Sequence, residues 1–533
     1  MKKGTNVPAE GHLSGVTRRQ FLQRSAALSV SASALGGLLL LPRWASAQTE
    51  ATPQRGGHLI LAIDNASTSD RLDPAYYFEQ YMYHVGRQLF NTLTELHDDG
   101  SLAPGLAESW ETTDATHWVF TLRQGVTFHN GKTLTAEDVV YSLNHHRAED
   151  SPSAVKGYME QITELAARGS HDVVMTLSAP NMDLPYLLGE VNFAITPAGA
   201  NFDEGIGTGP FVLESFEPGV RTLVKRNDNY WKSDRAFVDS VETRAFNDAT
   251  ARVAALMSGS VHFVNRVTPS IVSRLEGASS LTINRNSGSF QVTFPGLADR
   301  APFESKDVRL AMKYALDREQ LLNLLVQGYG QVGNDTPLFP SNRYFTTDLP
   351  SHAFDPDKAL HHWRQSGMDR PIRLSTADGA TFEGAVSAAE LYQQSAQRAG
   401  IPLEVNRVPA DGYWSEVWRQ HEFCASGWSS RPTADAYLSM VNLSNAPWNE
   451  ARWANEQLDQ LIIAARGEQD EATRRQMYHD IQVLYQQEGS TVAPLYMDSI
   501  SANRANVRGV CRRAGRGSDS LGRKDVDRQL NRG

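Results

Sequence analysis

Two hydrophobic periodicities alternate along almost the whole chain, and that alternation limits the possible folds more than any other feature. Trp118-Val119-Phe120-Thr121-Leu122 places apolar side chains at every second position, the spacing of a half-buried strand. Gly125-Val126-Thr127-Phe128 reads as its hairpin partner. Directly afterwards, Thr135-Ala136-Glu137-Asp138 carries the signals of a helix start. A Thr oxygen can cap the first turn, acids sit at the positive end of the dipole, and Val139, Val140 and Leu143 share a face. The switch recurs. Gly56 to Ala62 reads as a strand entered through glycines, Leu72-Asp73-Pro74 as a fixed extended bend, and Tyr81 to Leu93 as a helix. A capped helix begins at Ser305 with Val308, Met312, Ala315 and Leu316 on its apolar side, and Asn455 to Gln487 gives two more. Strands and helices mixed throughout, with no internal repeat, predict an α/β architecture.

The N-terminus has a different character. Thr17-Arg18-Arg19-Gln20-Phe21-Leu22-Gln23 is a twin-arginine segment, an apolar stretch from Ala26 to Leu41 follows, and Ala45-Ser46-Ala47 is a small-x-small cleavage site. The apolar stretch is diluted by Ser and Gly and falls short of the roughly 20 residues that span a bilayer. Residues 1–47 therefore read as a signal peptide for the twin-arginine route. With no Cys near the cleavage site, the exported chain is expected to be free in the periplasm rather than lipid-anchored. Removing those residues takes six Lys/Arg and one Glu with them, leaving 45 basic and 60 acidic side chains and a net charge near −15. Such a surface repels phosphate backbones and argues against nucleic-acid partners. The remaining length implies two or more domains. Cys424 and Cys511 are the only cysteines. They could pair in an oxidising compartment or remain two thiols, and no spacing pattern decides between these. Arg512 to Gly533 is Arg- and Gly-rich and reads as a disordered tail.

Enzyme signatures are missing. The chain has no Gly-x-Ser-x-Gly elbow, no His-Glu-x-x-His helix, no Cys-x-x-Cys and no P-loop, so neither catalytic residues nor a cofactor or metal site is expected. Gly205-Ile206-Gly207-Thr208-Gly209-Pro210 superficially suggests a phosphate cradle. Pro210 removes a needed donor, and a strand (Phe211-Val212-Leu213) follows where a helix should, so a tight turn is the better reading. His145-His146 and His361-His362 are adjacent pairs whose side chains diverge on a helix, and they read as solvated surface histidines. Trp414, Trp418, Trp428, Trp448 and Trp453 cluster within one stretch, as packing or as part of a cleft wall.

Taken in order, further motifs resemble the extracellular solute-binding protein family 5, the dipeptide, oligopeptide and nickel-binding receptors of ABC importers. They are Gly56-Gly57-His58-Leu59, Leu72-Asp73-Pro74, Pro104-Gly105-Leu106-Ala107-Glu108-Ser109-Trp110, Leu122-Arg123-Gln124-Gly125-Val126-Thr127-Phe128-His129-Asn130-Gly131 and Thr135 to Leu143. Gly207-Thr208-Gly209-Pro210-Phe211, Arg226-Asn227-Asp228-Asn229-Tyr230-Trp231, Asp307 to Arg318, Gly427-Trp428 and Pro494-Leu495-Tyr496 continue the series. The resemblance implies a two-lobed periplasmic binding protein of type II, cluster C, with an extra domain and a hinge between lobes. On that scheme residues 48–88, 201–283 and 495–511 form lobe I, 89–200 the extra domain, and 284–494 lobe II. It further implies a non-catalytic monomer that closes on a peptide or peptide-like solute and docks on a membrane permease.

In peptide-binding relatives a Gly-Trp-Thr-Gly-Asp type motif supplies the acid that holds the α-amine. Here the stretch is Gly427-Trp428-Ser429-Ser430-Arg431. Either Arg431 meets an anionic group of the solute, or it is structural and pairs with Asp435. The resemblance makes Trp428, Ser429, Arg431, Asp435 and Tyr413 candidate ligand residues, with Asp411 a weaker one. The hinge-proximal Ser287, Gly288, Ser289 and Phe290 are candidates through their main chain. A non-peptide solute (an opine, an oligosaccharide or chelated nickel) is the rival reading, and a periplasmic hydrolase is the alternative from a different class.

Overall fold

The computed structural model describes residues 53–97, 100–153 and 155–508. The export segment and its cleavage site, Cys511 and the Arg-rich tail lie outside the described residues.

The helices start where cap chemistry places them. Thr135 and Asp138 form a capping box at the Ala136–His145 helix, with the Asp138 carboxylate accepting from the Thr135 N–H at 2.8 Å. Asn455 and Asp470 cap Glu456–Gly467 and Glu471–Glu488, each side chain accepting an N–H at 2.9 Å. Ser305 caps Lys306–Tyr314. The helix expected over Tyr81 to Leu93 runs Gln80–Leu89 and stops at an extended Phe90. There the turn at 205–210 packs against the helix end, and Gly209 N–H donates to Leu89 O at 2.9 Å. A Cβ on Gly207 would stand 2.1 Å from that same carbonyl. These glycines serve close approach, as a tight turn requires.

Two sequence expectations are corrected. The Gly125–Phe128 stretch is not the hairpin partner of the 118–122 strand. His117–Leu122 pairs with Ala107–Thr112 and Asp172–Leu177, while Val126 and Phe128 bond back to Leu134 and Lys132 in a turn of their own. Period two announces a strand but not its neighbour. Of the histidines at 145 and 146, the first is only partly exposed and the second is not solvated. His145 bonds Asp73 at 2.8 Å and stacks on Phe202 at 3.8 Å. His146 is buried against Phe193, and burial pushes its pKa down to about 4.

The architecture is a mixed α/β two-lobed binding-protein fold built on one nine-stranded sheet. From one edge the order runs Ser426–Ser429, Leu281–Pro295, Thr491–Arg504, Phe263–Val264, His58–Ile63, Ser240–Ala245, Arg221–Arg226 and Phe211–Glu217, with Gly330–Val332 also paired to Thr491–Arg504. His58–Ile63 runs parallel to Ser240–Ala245 and Phe263–Val264, and the other pairings are antiparallel. One core gathers Leu61, Tyr81, Val85, Leu89, Phe211 and Val241 in the first lobe. A second gathers Phe294, Met312, Leu374, Tyr392, Phe423 and Leu495 in the other lobe. A four-stranded antiparallel sheet with its own core (Trp118, Phe120, Val139, Met175) stands beside them. Asp183, just beyond that sheet, meets Arg474 of the second lobe in a buried ion pair of 2.9 Å.

Leu281–Pro295 and Thr491–Arg504 serve both lobes. The first has 15 residues, roughly 50 Å when extended. It enters at Ile283 in the first lobe's packing and ends at Phe294 in the second lobe's core. Thr491–Arg504 runs the opposite way, from Leu495 to Ile500 and Ala502. Their register slips between Asn286 and Phe290, so Ser287-Gly288-Ser289 bulges at the crossing.

Candidate solute-binding cleft

At that crossing the lobes face each other across a cleft of about 680 Å³. The bulge is shaped by Gly288, at φ +61° with no room for a Cβ beside Pro340. Its N–H donates to the Asp498 carboxylate at 3.1 Å, and Arg285 Nε holds the other oxygen at 2.8 Å. Asp498 thereby staples the two crossing strands while its own residue lines the cleft floor with Met497, Ser499 and Ile500.

The second-lobe wall grows from the sheet's edge strand. Gly427 lacks a side chain for a visible reason: a Cβ there would stand 2.4 Å from the Phe290 ring. The bare backbone lets Phe290 and Trp428 both reach the cleft. Trp428 is 8 % exposed, stacked on Trp448 at 5.9 Å and edge-on to Tyr437 at 6.0 Å. Ser430 N–H donates to Ser289 O at 3.0 Å, which ties the following loop to the bulge. Arg431 emerges from this loop half-buried in the cleft, and its Nη1 donates to Ser429 O at 2.9 Å. Phe382 and Glu383 complete this side.

The first-lobe wall presents Phe78, Glu79, Gln80 and Tyr83 from the start of the Gln80–Leu89 helix. Phe78 is 51 % exposed, an unusual position for a large aromatic ring. Beside it Asp64 accepts from Asn265 Nδ2 at 2.7 Å and pairs with Arg266 at 3.3 Å. Arg252 is buried behind them, donating to Asn265 O and Arg266 O at 2.9 and 3.0 Å. The opening therefore combines aromatic faces with both signs of charge.

Of the residues singled out from sequence, Phe290, Trp428, Ser429 and Arg431 lie together on this wall, as does Ser289. The others stand elsewhere. Asp435 is buried behind the wall, bonded to Arg466 at 2.9 Å and to Ser439 at 2.7 Å, and burial raises its pKa. Tyr413 is fully buried, its hydroxyl donating to Ala425 O at 2.7 Å and Ser375 O at 3.2 Å. Ser287 and Gly288 form the bulge beside the cleft rather than its lining, and Asp411 lies exposed outside it. Sequence reading missed the whole first-lobe wall and Asp498. Their neighbours along the chain are unremarkable in pattern, and only folding across some 200 residues brings Asp64 to Arg266.

A sheet-crossing hinge with a polar-aromatic cleft at its mouth defines a periplasmic-type solute-binding architecture. The description "Bacterial extracellular solute-binding proteins, family 5 Middle" matches residues 101–449. The chain belongs to this family. It is 23 % identical over 482 residues to "Di/tripeptide-binding protein 1" of Pseudomonas aeruginosa, covering 80 % of this chain and 89 % of that protein. It is 24 % identical over 485 residues to "Heme-binding protein A" of Haemophilus influenzae, covering 82 % and 87 %. In fold it is similar to the periplasmic binding protein DppA of Helicobacter pylori in complex with the peptide STSA. The TM-score is 0.74 at 20 % identity, over 90 % of this chain and 99 % of that one.

Proposed function

We propose that this protein is the periplasmic substrate-binding subunit of an ABC importer, taking peptides or peptide-like solutes into the inter-lobe cleft and delivering them to a membrane permease. The observation that carries this reading is the cleft itself. Its second-lobe wall is a terminal strand of the sheet, Ser426–Ser429, which carries Trp428 and leads into Arg431. An edge strand offers main-chain groups to an extended peptide, while aromatic walls take its side chains. Arg431 on one side, with Glu79 and Glu383 nearby, suits a solute carrying an anionic group and an amine. The protein binds rather than turns over its solute, acts as a monomer, and reaches the periplasm by the twin-arginine route with cleavage after Ala47. Residues 284–494 move as the closing lobe.

A second reading, a non-peptide solute with an anionic group, is favoured by Arg431 at the mouth of the cleft. Native mass spectrometry of the purified protein would identify a retained solute by mass. Tryptophan quenching with a panel of di- to pentapeptides would test the peptide class directly, and no response to any of them would sink it. Replacing Arg431 by Ala is expected to weaken binding of the identified solute about tenfold to a hundredfold, the cost of one charge-assisted contact. Unchanged affinity by calorimetry would make Arg431 structural.

A further inference from the structure

Behind the cleft wall lies a carboxylate outside the cleft lining. Glu450 is buried, 3 % exposed. Oε1 accepts from the Thr293 hydroxyl at 3.0 Å and Oε2 from the Trp418 indole N–H at 3.2 Å. The Ser426 hydroxyl and the Trp428 indole lie close by without a hydrogen bond to it. Thr293 belongs to a crossing strand, Ser426 and Trp428 to the edge strand, and Trp418 to the turn after Tyr413–Val417. One carboxylate thus ties a crossing strand to the Trp418 turn, next to the edge strand that lines the cleft.

The rings beside it are in mutual contact. Trp418 and Trp428 lie 6.3 Å apart at 58°, and Trp428 continues onto Trp448 and Tyr437. Packing alone leaves an indole free to tilt or flip within such a cluster, whereas its single N–H donor fixes the ring plane once the acceptor is fixed. A buried carboxylate among neutral donors is costly compared with an apolar side chain of similar volume. An apolar side chain, however, could not fix the Trp418 indole through its N–H.

We propose that Glu450 is a positioning residue whose carboxylate fixes the Trp418 indole, the ring against which Trp428 packs as a wall of the cleft. Solute affinity then depends on a group the solute never touches. This rests on the reading of the cleft as the solute site. Burial raises the Glu450 carboxyl, so its protonation falls closer to neutrality than an exposed acid's. The titratable side chains facing it are Tyr413, Cys424, Tyr437 and Tyr485. All are pushed upward by burial, Cys424 to about 12. Arg419 lies over the Trp418 ring at 5.6 Å, and Arg431 stands near Tyr437.

The test uses the full chain, without added solute, followed by near-UV circular dichroism and tryptophan emission from about pH 8 to about pH 4. The wild-type aromatic signal should change along one titration, and Glu450→Gln should show the low-pH signal throughout. Glu450→Asp, which keeps the charge, should recover part of the wild-type signal. In the second arm, the best-quenching member of the di- to pentapeptide panel should bind Glu450→Gln about tenfold more weakly. Should Glu450→Gln lose its far-UV signal, Trp418→Phe, which removes the N–H and shrinks the ring, carries at least the same expected loss of affinity. Wild-type spectra, pH profile and affinity in these variants would overturn the proposal. A panel with no binder would sink the peptide reading of the cleft, while the solute-free arm would still decide the role of Glu450.

Discussion

Replacing Asp335 by Asn is expected to destabilise the second lobe by about 3 kcal/mol, near the lower end of the roughly 3–5 kcal/mol for breaking a buried ion pair. Asp335 is wholly buried at the root of the Thr491–Arg504 strand. Its carboxylate accepts from Arg318 at 3.0 and 2.7 Å, from His352 Nδ1 at 2.7 Å and from Ala493 N–H at 2.8 Å. Asn keeps the shape but removes the counter-charge, leaving the Arg318 guanidinium buried. The low end applies because Arg318 also donates to the carbonyls of Lys313, Gly333, His352 and Ala493, which survive the change. The pH dependence supplies a second check. Burial pushes the Asp335 carboxyl up, but Arg318 and His352 outweigh it and hold it well below the usual carboxylate range. A pKa depressed on folding contributes stability that is complete above the unfolded value, about 3.9, and is lost as pH falls below it. The gap between wild type and Asp335→Asn should therefore be full at neutral pH and narrow in acid. Thermal unfolding monitored by far-UV circular dichroism at neutral and acidic pH would measure both. A loss under about 1 kcal/mol at neutral pH, or a gap that widens with acid, would refute the argument.

Two other perturbations follow from single contacts. Lys313 is buried with its ammonium on Gln486 O at 2.7 Å, and burial lowers its pKa to about 8. The folded state thus releases this proton before the unfolded state does, so wild-type stability should rise between about pH 8 and about pH 10, and urea midpoints of Lys313→Met should lack that rise. Gly427→Ala places a methyl group 2.4 Å from the Phe290 ring. It should cost about 1–3 kcal/mol and alter Trp428 emission, and a neutral result would mean that Phe290 can rotate away freely.

Much of the fold is legible along the chain because its causes are local. Ser305, Asn455 and Asp470 cap helices since a side-chain oxygen can reach an N–H three residues on, and that needs no tertiary partner. The His58–Ile63 strand and the turn at 205–210 are set by glycine, proline and alternation nearby. The partner of the 118–122 strand was not legible, because pairing with Ala107–Thr112 and Asp172–Leu177 depends on which surfaces each strand can bury. The burial of His146 was likewise hidden, since a histidine on a helix has no local mark of the Phe193 ring it will meet.

The candidate site divides along the same line. The sequence by itself determined the family, the α/β class and one wall of the cleft, because Gly427-Trp428 and Arg431 sit within a few residues of each other and their motif is contiguous. The tertiary structure decided the opposite wall, the Asp498 staple, and the turning of Asp435 away from the cleft toward Arg466. It also decided that a buried carboxylate, Glu450, holds Trp418, the ring packed beside Trp428. Which groups meet across a cleft depends on where two long crossing strands carry separate lobes. Contacts at such sequence separation are fixed by packing and burial of the whole sheet, which no local spacing encodes.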